Sequence, residues 1–333
     1  MKVAIVGAGV VGLTTAVELQ KEVKGIDVTI FADKFYKDTT SYVAAGLFRP
    51  GTSFAGPTQE ITKKWIVDSY NYWDKIRVTP ESPKAGITEI SGYIFSSEHK
   101  HLTRNHYIED VVPLYRSATE DELNLCPGNW KYGSFFRTIL TECTRYLPWI
   151  TEKYTALGGR IHQKSINSFS ELTDFDLIIN CSGLGSKLLC KDHKIVPIRG
   201  QVLKVNAPWL KTFFYGDFDT YIIPGFETVT LGGCRQYDSY DLNVNKFDSM
   251  AIQERCYSLV PSLKKAEIVT EKVGLRPHRD PVRVEKELIE VNGKRIKVVH
   301  NYGHGGYGVT TAPGTALYAV KLVKESLSGN SKL

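Results

Sequence analysis

The chain opens on a short apolar run, Val3-Ala4-Ile5-Val6, which stops at Gly7-Ala8-Gly9-Val10-Val11-Gly12 and gives way to helically spaced apolar positions, Val10, Leu13 and Val17. This pattern predicts a strand, a glycine turn and a helix. A second strand, Val28-Thr29-Ile30-Phe31, ends at Ala32-Asp33. Leu177 to Asn180 and Ile296 to His300 read as two further strands of the same sheet, running into Cys181-Ser182-Gly183-Leu184-Gly185 and Asn301-Tyr302-Gly303-His304-Gly305-Gly306-Tyr307-Gly308. An apolar helix is predicted over Thr315 to Val323. The intervening stretches, from Gly51 to Cys143 and from Cys190 to Glu290, are richer in aromatics and alternate like strands. Among them Arg199 to Val205, Tyr221 to Pro224 and Val229 to Gly233 read as antiparallel strands joined by turns. The predicted class is α/β: a Rossmann-like nucleotide domain with an inserted, mostly antiparallel, sheet-rich second domain.

The glycine spacing carries chemistry. In Gly7-x-Gly9-x-x-Gly12 the first glycine permits the tight turn, the second lets the backbone approach a pyrophosphate, and the third lets the helix pack on the strand. The pyrophosphate then lies at the helix N-terminus, where free N–H groups and the dipole favour an anion. Asp33 stands twenty-one residues beyond Gly12, the distance at which an acid accepts hydrogen bonds from an adenosine ribose. The turn at Gly303–Gly308 leads into a helix and offers the same ligand a second helix N-terminus.

Composition narrows the class. At 333 residues the chain has room for one large or two ordinary domains. Lys plus Arg number 42 against 36 Asp plus Glu, a net +6 with no long basic run, which argues against nucleic acid as the partner. No apolar run approaches the roughly 20 residues of a membrane span, and the N-terminal run is too short for a signal peptide, so a soluble protein is expected. The six cysteines show no CxxC or zinc spacing and read as free thiols of a reducing compartment. Asn180-Cys181-Ser182 matches a glycosylation sequon but follows a strand, without a secretory signal. The last residues, Ser331-Lys332-Leu333, follow a polar tail and match a peroxisomal address, so an import receptor is an expected partner and the peroxisomal matrix the expected location.

Taken together, Val6-Gly7-Ala8-Gly9-Val10-Val11-Gly12-Leu13, Ala32-Asp33-Lys34-Phe35, Val43-Ala44-Ala45-Gly46, Asn180-Cys181-Ser182-Gly183, Arg199-Gly200-Gln201, Tyr221-Ile222-Ile223-Pro224-Gly225, Gly274-Leu275-Arg276-Pro277 and His300 through Gly308 resemble the D-amino acid oxidase and D-aspartate oxidase family of FAD flavoproteins. The resemblance covers nearly the whole chain. It implies an FAD-binding domain made of residues 1–50, 144–190 and 291–333, and a substrate-binding domain made of 51–143 and 191–290. It implies noncovalent FAD held by Gly7, Ala8, Gly9, Val10, Val11, Gly12, Asp33, Lys34, Thr39, Thr40, Ser41, Ala45, Gly46, Leu47, Ile166, Ser182, Gly305, Gly306, Gly308 and Thr310. It further implies hydride transfer from the α-carbon of a D-amino acid, hydrolysis of the imino acid to a 2-oxo acid and ammonia, and reoxidation by O₂ to hydrogen peroxide. No side chain acts as acid or base in that scheme, and no metal is expected. Arg276 matches the arginine that clamps the substrate α-carboxylate, Tyr221 the hydroxyl donor to the same group, and the Gly306 carbonyl the acceptor for the amino group. On the residues alone Arg276 also reads as a surface ion pair, Tyr221 as a core aromatic, and Gly305 with Gly306 as a simple turn.

Substrate class turns on Arg235. The neutral-substrate oxidases carry a bulky apolar residue there, whereas the D-aspartate oxidases carry arginine. An arginine facing the pocket is expected to be an uncompensated buried charge, worth about 2 to 5 kcal/mol to a second carboxylate. The short stretch from Leu210 to Thr220 resembles the compact lid of the acidic-substrate enzymes. D-aspartate is therefore expected, with D-glutamate and N-methyl-D-aspartate as lesser substrates. A neutral D-amino acid oxidase and a non-catalytic dinucleotide-binding protein are the alternatives. Two positions depart from the acidic-substrate pattern: Gly51 stands where some D-aspartate oxidases have histidine, and Gly306-Tyr307 resembles the neutral-substrate enzymes. Arg49 has no assigned role. His304 is expected to be a structural hydrogen-bonder, and His99, His101 and His106 to face solvent. Association into a homo-oligomer stays open.

Overall fold

The computed structural model describes residues 1–327; Ser331-Lys332-Leu333 lies outside the described residues. Lys2–Val6 is the central strand of a parallel array, with Asp27–Ala32 and then Arg160–Gln163 on one side, Leu177–Asn180 and then Lys294–His304 on the other. Its apolar run is continuous because both faces are covered. Val3 and Ile5 enter one core with Leu13 and Val17 of the helix Val10–Glu22, while Ala4 and Val6 enter another with Phe169, Leu172 and Ile178.

Two helices differ from the sequence expectation. The C-terminal helix spans Gly308–Leu327, beginning well before Thr315. Pro313 lies little more than a turn inside it and removes only one backbone bond. The stretch assigned to the substrate domain also contains a long helix, Gln59–Arg77, where strands were expected. Thr58 caps it by accepting from the Ile61 N–H (3.2 Å), and its buried face is Thr62, Trp65, Ile66, Ser69, Tyr70 and Trp73. This helix docks on the C-terminal helix: the Gly314 N–H donates to Ser69 Oγ (2.8 Å) and Trp73 Nε1 donates to the Thr310 carbonyl (3.2 Å). Its place is therefore beside the nucleotide half, on the far side of the boundary drawn at residue 51.

The other half is built on Ile87–Ser96 and Tyr132–Thr141, paired antiparallel, followed across the sheet by Phe213–Tyr215, Tyr221–Pro224, Val229–Gly232 and Val196–Asn206. These pairings are antiparallel except that of Ile87–Ser96 with Phe213–Tyr215. One strand, Glu267–Val291, belongs to both halves. Its first part pairs with Val196–Asn206, and after a register shift between His278 and Arg283 its second part pairs with Lys294–Tyr302 of the nucleotide half. Residues 283–291 thus belong with the nucleotide half, and the division drawn at 290 falls at a hairpin turn. The crossing near residues 278–283 carries Arg276 to the junction. Among the described residues no helix is long and apolar enough to cross a membrane.

Candidate functional site

A cavity of about 1050 Å³ runs along this junction. At one end Gly7, at φ +111°, turns the chain out of the central strand; a Cβ there would collide with the Cys181 carbonyl. A Cβ on Gly12 would collide with the Gly7 carbonyl, so this glycine sets the close packing of helix on turn. Gly12 does not line the cavity, whereas every other residue singled out above for cofactor or substrate does. The helix Val10–Glu22 has no acidic residue in its first turn and no side-chain cap; the Val10 N–H donates to Ser41 Oγ (3.1 Å). The helix Gly308–Leu327 also lacks an acid in its first turn and starts at the same cavity. Two positive helix ends therefore face one space, with the exposed carboxylate of Asp33 at its rim. Anion-favouring N–H groups with an acceptor for ribose hydroxyls beyond them fit a dinucleotide such as FAD.

At the other end the glycines of two motifs make room for two side chains. A Cβ on Gly200 would collide with the Arg276 guanidinium, and one on Gly232 or Gly233 with the Tyr221 ring. Arg276 Nη1 donates to the Cys234 carbonyl (3.0 Å), and the Arg276 stem lies against Gly306, where a Cβ would stand 3.4 Å from Cδ. No carboxylate lies within salt-bridge distance of Arg276 among the described residues, leaving its remaining donors for a ligand. The Tyr221 ring packs on Tyr215 with centroids 5.6 Å apart. Burial pushes the Tyr221 hydroxyl up, with the nearby Arg276 pulling the other way. Arg199, in the same motif as Gly200, is spent on structure: it pairs with Asp248 (2.7 Å) and donates to Gln236, Gln201 and the carbonyls of Asp241 and Asn243.

Arg235 corrects an expectation. It lines the cavity, but it is neither deeply buried nor uncompensated: Nε lies 2.9 Å from Asp219 Oδ1, and the two side chains are 45% and 42% exposed. Burial works against its charge, and Asp219 with the Tyr307 hydroxyl outweighs it. The pairing was hidden in the sequence because Asp219 sits in a turn whose residues Phe218 and Asp219 have φ +56° and +58°. The two departures at Gly51 and Tyr307 are one packing unit, since a Cβ on Gly51 would collide with the Tyr307 hydroxyl, which in turn bonds Ser53 Oγ (3.1 Å). Arg49 lies over the Tyr215 ring at 4.6 Å and lines the same cavity; its Nε is buried with no hydrogen-bond partner among the described residues. Nothing in the sequence spacing points to it.

The remaining titratable groups are quieter. His304 is buried against Thr315 Oγ1 (2.9 Å), and burial pushes it down to about 3, so it is neutral at ordinary pH. His99, His101 and His106 are exposed, and among the described residues no cluster of three or more metal-binding side chains occurs. All six cysteines are free. Burial raises the Cys181 and Cys256 thiols to about 12, far from thiolate chemistry.

Comparison with known proteins places this geometry. The chain is 44% identical over 327 residues to D-aspartate oxidase of Homo sapiens, covering 97% of this chain and 95% of that one. It is 35% identical to D-amino acid oxidase of Dugesia ryukyuensis, covering 98% of each. Its fold matches the crystal structure of glycine oxidase from Geobacillus kaustophilus with a TM-score of 0.80 at 18% identity, over 97% of this chain and 94% of that one. Residues 2–322 match the DAO family, FAD dependent oxidoreductase, and the chain belongs to that family.

Proposed function

We propose that the chain catalyses FAD-dependent oxidative deamination of D-amino acids with a preference for acidic ones: D-aspartate first, then D-glutamate and N-methyl-D-aspartate. The observation that carries this is the setting of two arginines, Arg276 and Arg235, in one cavity with Tyr221 and the turn at Gly305–Gly306. The planar fork of Arg276 takes the α-carboxylate and the Tyr221 hydroxyl donates to the same group. The Gly306 carbonyl accepts from the amino group, which together with the carboxylate clamp fixes the α-carbon. Arg235 takes the side-chain carboxylate. When bound, FAD supplies the two-electron acceptor for the substrate α-carbon and is reoxidised by O₂, giving hydrogen peroxide. Backbone N–H groups from Gly305 to Thr310 favour negative charge that develops beside them. The imino acid leaves and hydrolyses to a 2-oxo acid and ammonia.

A second reading, oxidation of neutral D-amino acids, is favoured by the Asp219 carboxylate that already neutralises Arg235. A peroxide assay over D- and L-amino acids with added FAD separates the two. The acidic reading expects fastest turnover of D-aspartate and none of L-amino acids; faster turnover of D-alanine or D-proline favours the second. A colourless protein that releases no peroxide from any D-amino acid overturns both. For location, the C-terminal Ser331-Lys332-Leu333 supports import into the peroxisomal matrix. A fluorescent protein fused to the N-terminus should give punctate peroxisomal signal, and deletion of the three residues should disperse it.

A further inference from the structure

We propose that Asp219 is a specificity-determining residue: its carboxylate occupies Arg235 as an internal stand-in for the substrate's side-chain carboxylate and yields that place to an acidic substrate. The proposal rests on Arg235 as the site for the substrate's second carboxylate. Asp219 lies in the connection between strands Phe213–Tyr215 and Tyr221–Pro224, and this connection is anchored at several points. Asp217 Oδ2 accepts from the Ser97 N–H (3.1 Å) and hydroxyl (2.6 Å). The Gly216 N–H donates to the Thr220 carbonyl (3.0 Å), and the Gly233 N–H donates to the Asp219 carbonyl (2.8 Å). The last bond ties Asp219 to the segment that carries Arg235, so the backbone of the turn is held while the short side chain remains free to rotate. Left-handed φ at Phe218 and Asp219 gives the turn its shape.

The pair is strong enough to matter and weak enough to exchange. Both side chains are close to half exposed, so the pair has the modest strength of a surface ion pair, equivalent to a competition of about 1.5- to 5-fold. An acidic substrate replaces one carboxylate by another and gains only the difference. A neutral substrate leaves the pair intact and meets a compensated arginine. Asp219 therefore narrows the gap between acidic and neutral substrates that Arg235 alone would create.

The test is a cycle of Asp219→Asn, Arg235→Gln and the double variant, with flavin content measured for each and peroxide release followed on D-aspartate and D-alanine. Asparagine is chosen because it tolerates the left-handed backbone of this position. Asp219→Asn is expected to lower KM for D-aspartate about 1.5- to 5-fold and to raise the D-aspartate to D-alanine ratio of kcat/KM by a similar factor. The gain should vanish in the Arg235→Gln background. An unchanged ratio in Asp219→Asn, with Arg235→Gln impaired on D-aspartate, overturns the proposal alone. So does an Asp219→Asn effect of equal size in both backgrounds, which marks a purely structural part in the turn. Arg235→Gln with the parent's KM for D-aspartate overturns the underlying assignment of Arg235 and this proposal with it.

Discussion

If Arg276 clamps the substrate α-carboxylate as proposed, replacing Gly200 with alanine should disable that clamp without substituting Arg276 itself. Gly200 lies within strand Val196–Asn206, opposite Gly274 of the neighbouring strand, and its φ is outside the left-handed region, so alanine can adopt the backbone. A Cβ there falls inside van der Waals contact with Cζ, Nη1 and Nη2 of Arg276 at once. To regain a separation of about 3.5 Å the guanidinium must retreat by about 1 Å. That retreat draws Nη1 from the Cys234 carbonyl and moves the fork from the α-carboxylate position. A misplacement of about 1 Å can cost about 100-fold in rate, so kcat/KM is expected to fall about 30- to 100-fold. Every amino acid carries the α-carboxylate, so the loss should be similar for D-aspartate and D-alanine and their ratio should stay near the parent's. Peroxide release measured on both substrates, normalised to flavin absorbance, reads this directly. Values of kcat/KM within twofold of the parent at full flavin content, or a loss confined to D-aspartate, would refute the assignment of Arg276 to the α-carboxylate.

Three further outcomes are expected. Asp33→Asn removes a charged acceptor at the cavity rim and should weaken FAD binding about 10- to 100-fold, read by flavin fluorescence titration; an unchanged Kd excludes a ribose contact. Gly51→His should displace the Tyr307 ring and lower kcat/KM for D-aspartate, with substantial recovery in Gly51→His/Tyr307→Ser. Additive losses in that cycle, in place of a coupling of about 0.5 to 3 kcal/mol, would show the two positions to be independent. Burial, with Arg283 nearby, pushes His300 down to about 4, the Glu287 contact offsetting only part of this. The folded state therefore resists protonation while the unfolded chain takes a proton near 6.5. This contribution leaves stability level above pH 6.5 and removes up to about 3 kcal/mol as pH falls toward about 4. Denaturant unfolding across that window should show a shallower slope for His300→Gln than for the parent, and equal slopes would contradict it.

What the sequence disclosed and what it hid follow from how local each constraint is. The central strand, its glycine turn and Asp33 were legible because the turn geometry and the cofactor's length both act within about thirty residues. The helix Gln59–Arg77 was missed because its inner face mixes Trp65, Ile66 and Trp73 with Thr62 and Ser69. Those polar positions are buried only because the Ser69 hydroxyl accepts from the Gly314 N–H and Thr62 bonds its own helix and the Gly56 N–H. The strand Glu267–Val291 was hidden by Pro277 and Pro281 and by exposed charged residues along a surface-facing stretch. Arg276 and Arg235 could be picked out as candidates, but the charge state of the pocket could not. Asp219 meets Arg235 through a turn conformation, and Arg49 meets Tyr215 through tertiary packing, neither of which leaves a spacing to read.

The long shared strand bears on why the site can be built at a junction at all. Loops or linkers joining two halves would let the distance between substrate clamp and glycine turn vary. Here Arg276 pairs in register with Ile198 of one half, and His278, two residues on, pairs both with Val196 and with His304 of the other. His304 is followed directly by Gly305 and Gly306, and Gly306 lies against the Arg276 stem. The clamp and the turn are therefore fixed to each other by strand register, a constraint far stiffer than a hinge. The irregularity between His278 and Arg283 lets the same strand leave one pairing and take up the next just beyond Arg276. The turn at Gly216–Thr220 is fixed to the same frame, because the Gly233 N–H donates to the Asp219 carbonyl (2.8 Å) and Asp217 Oδ2 accepts from the Ser97 hydroxyl (2.6 Å), so that only the Asp219–Arg235 ion pair is left to exchange.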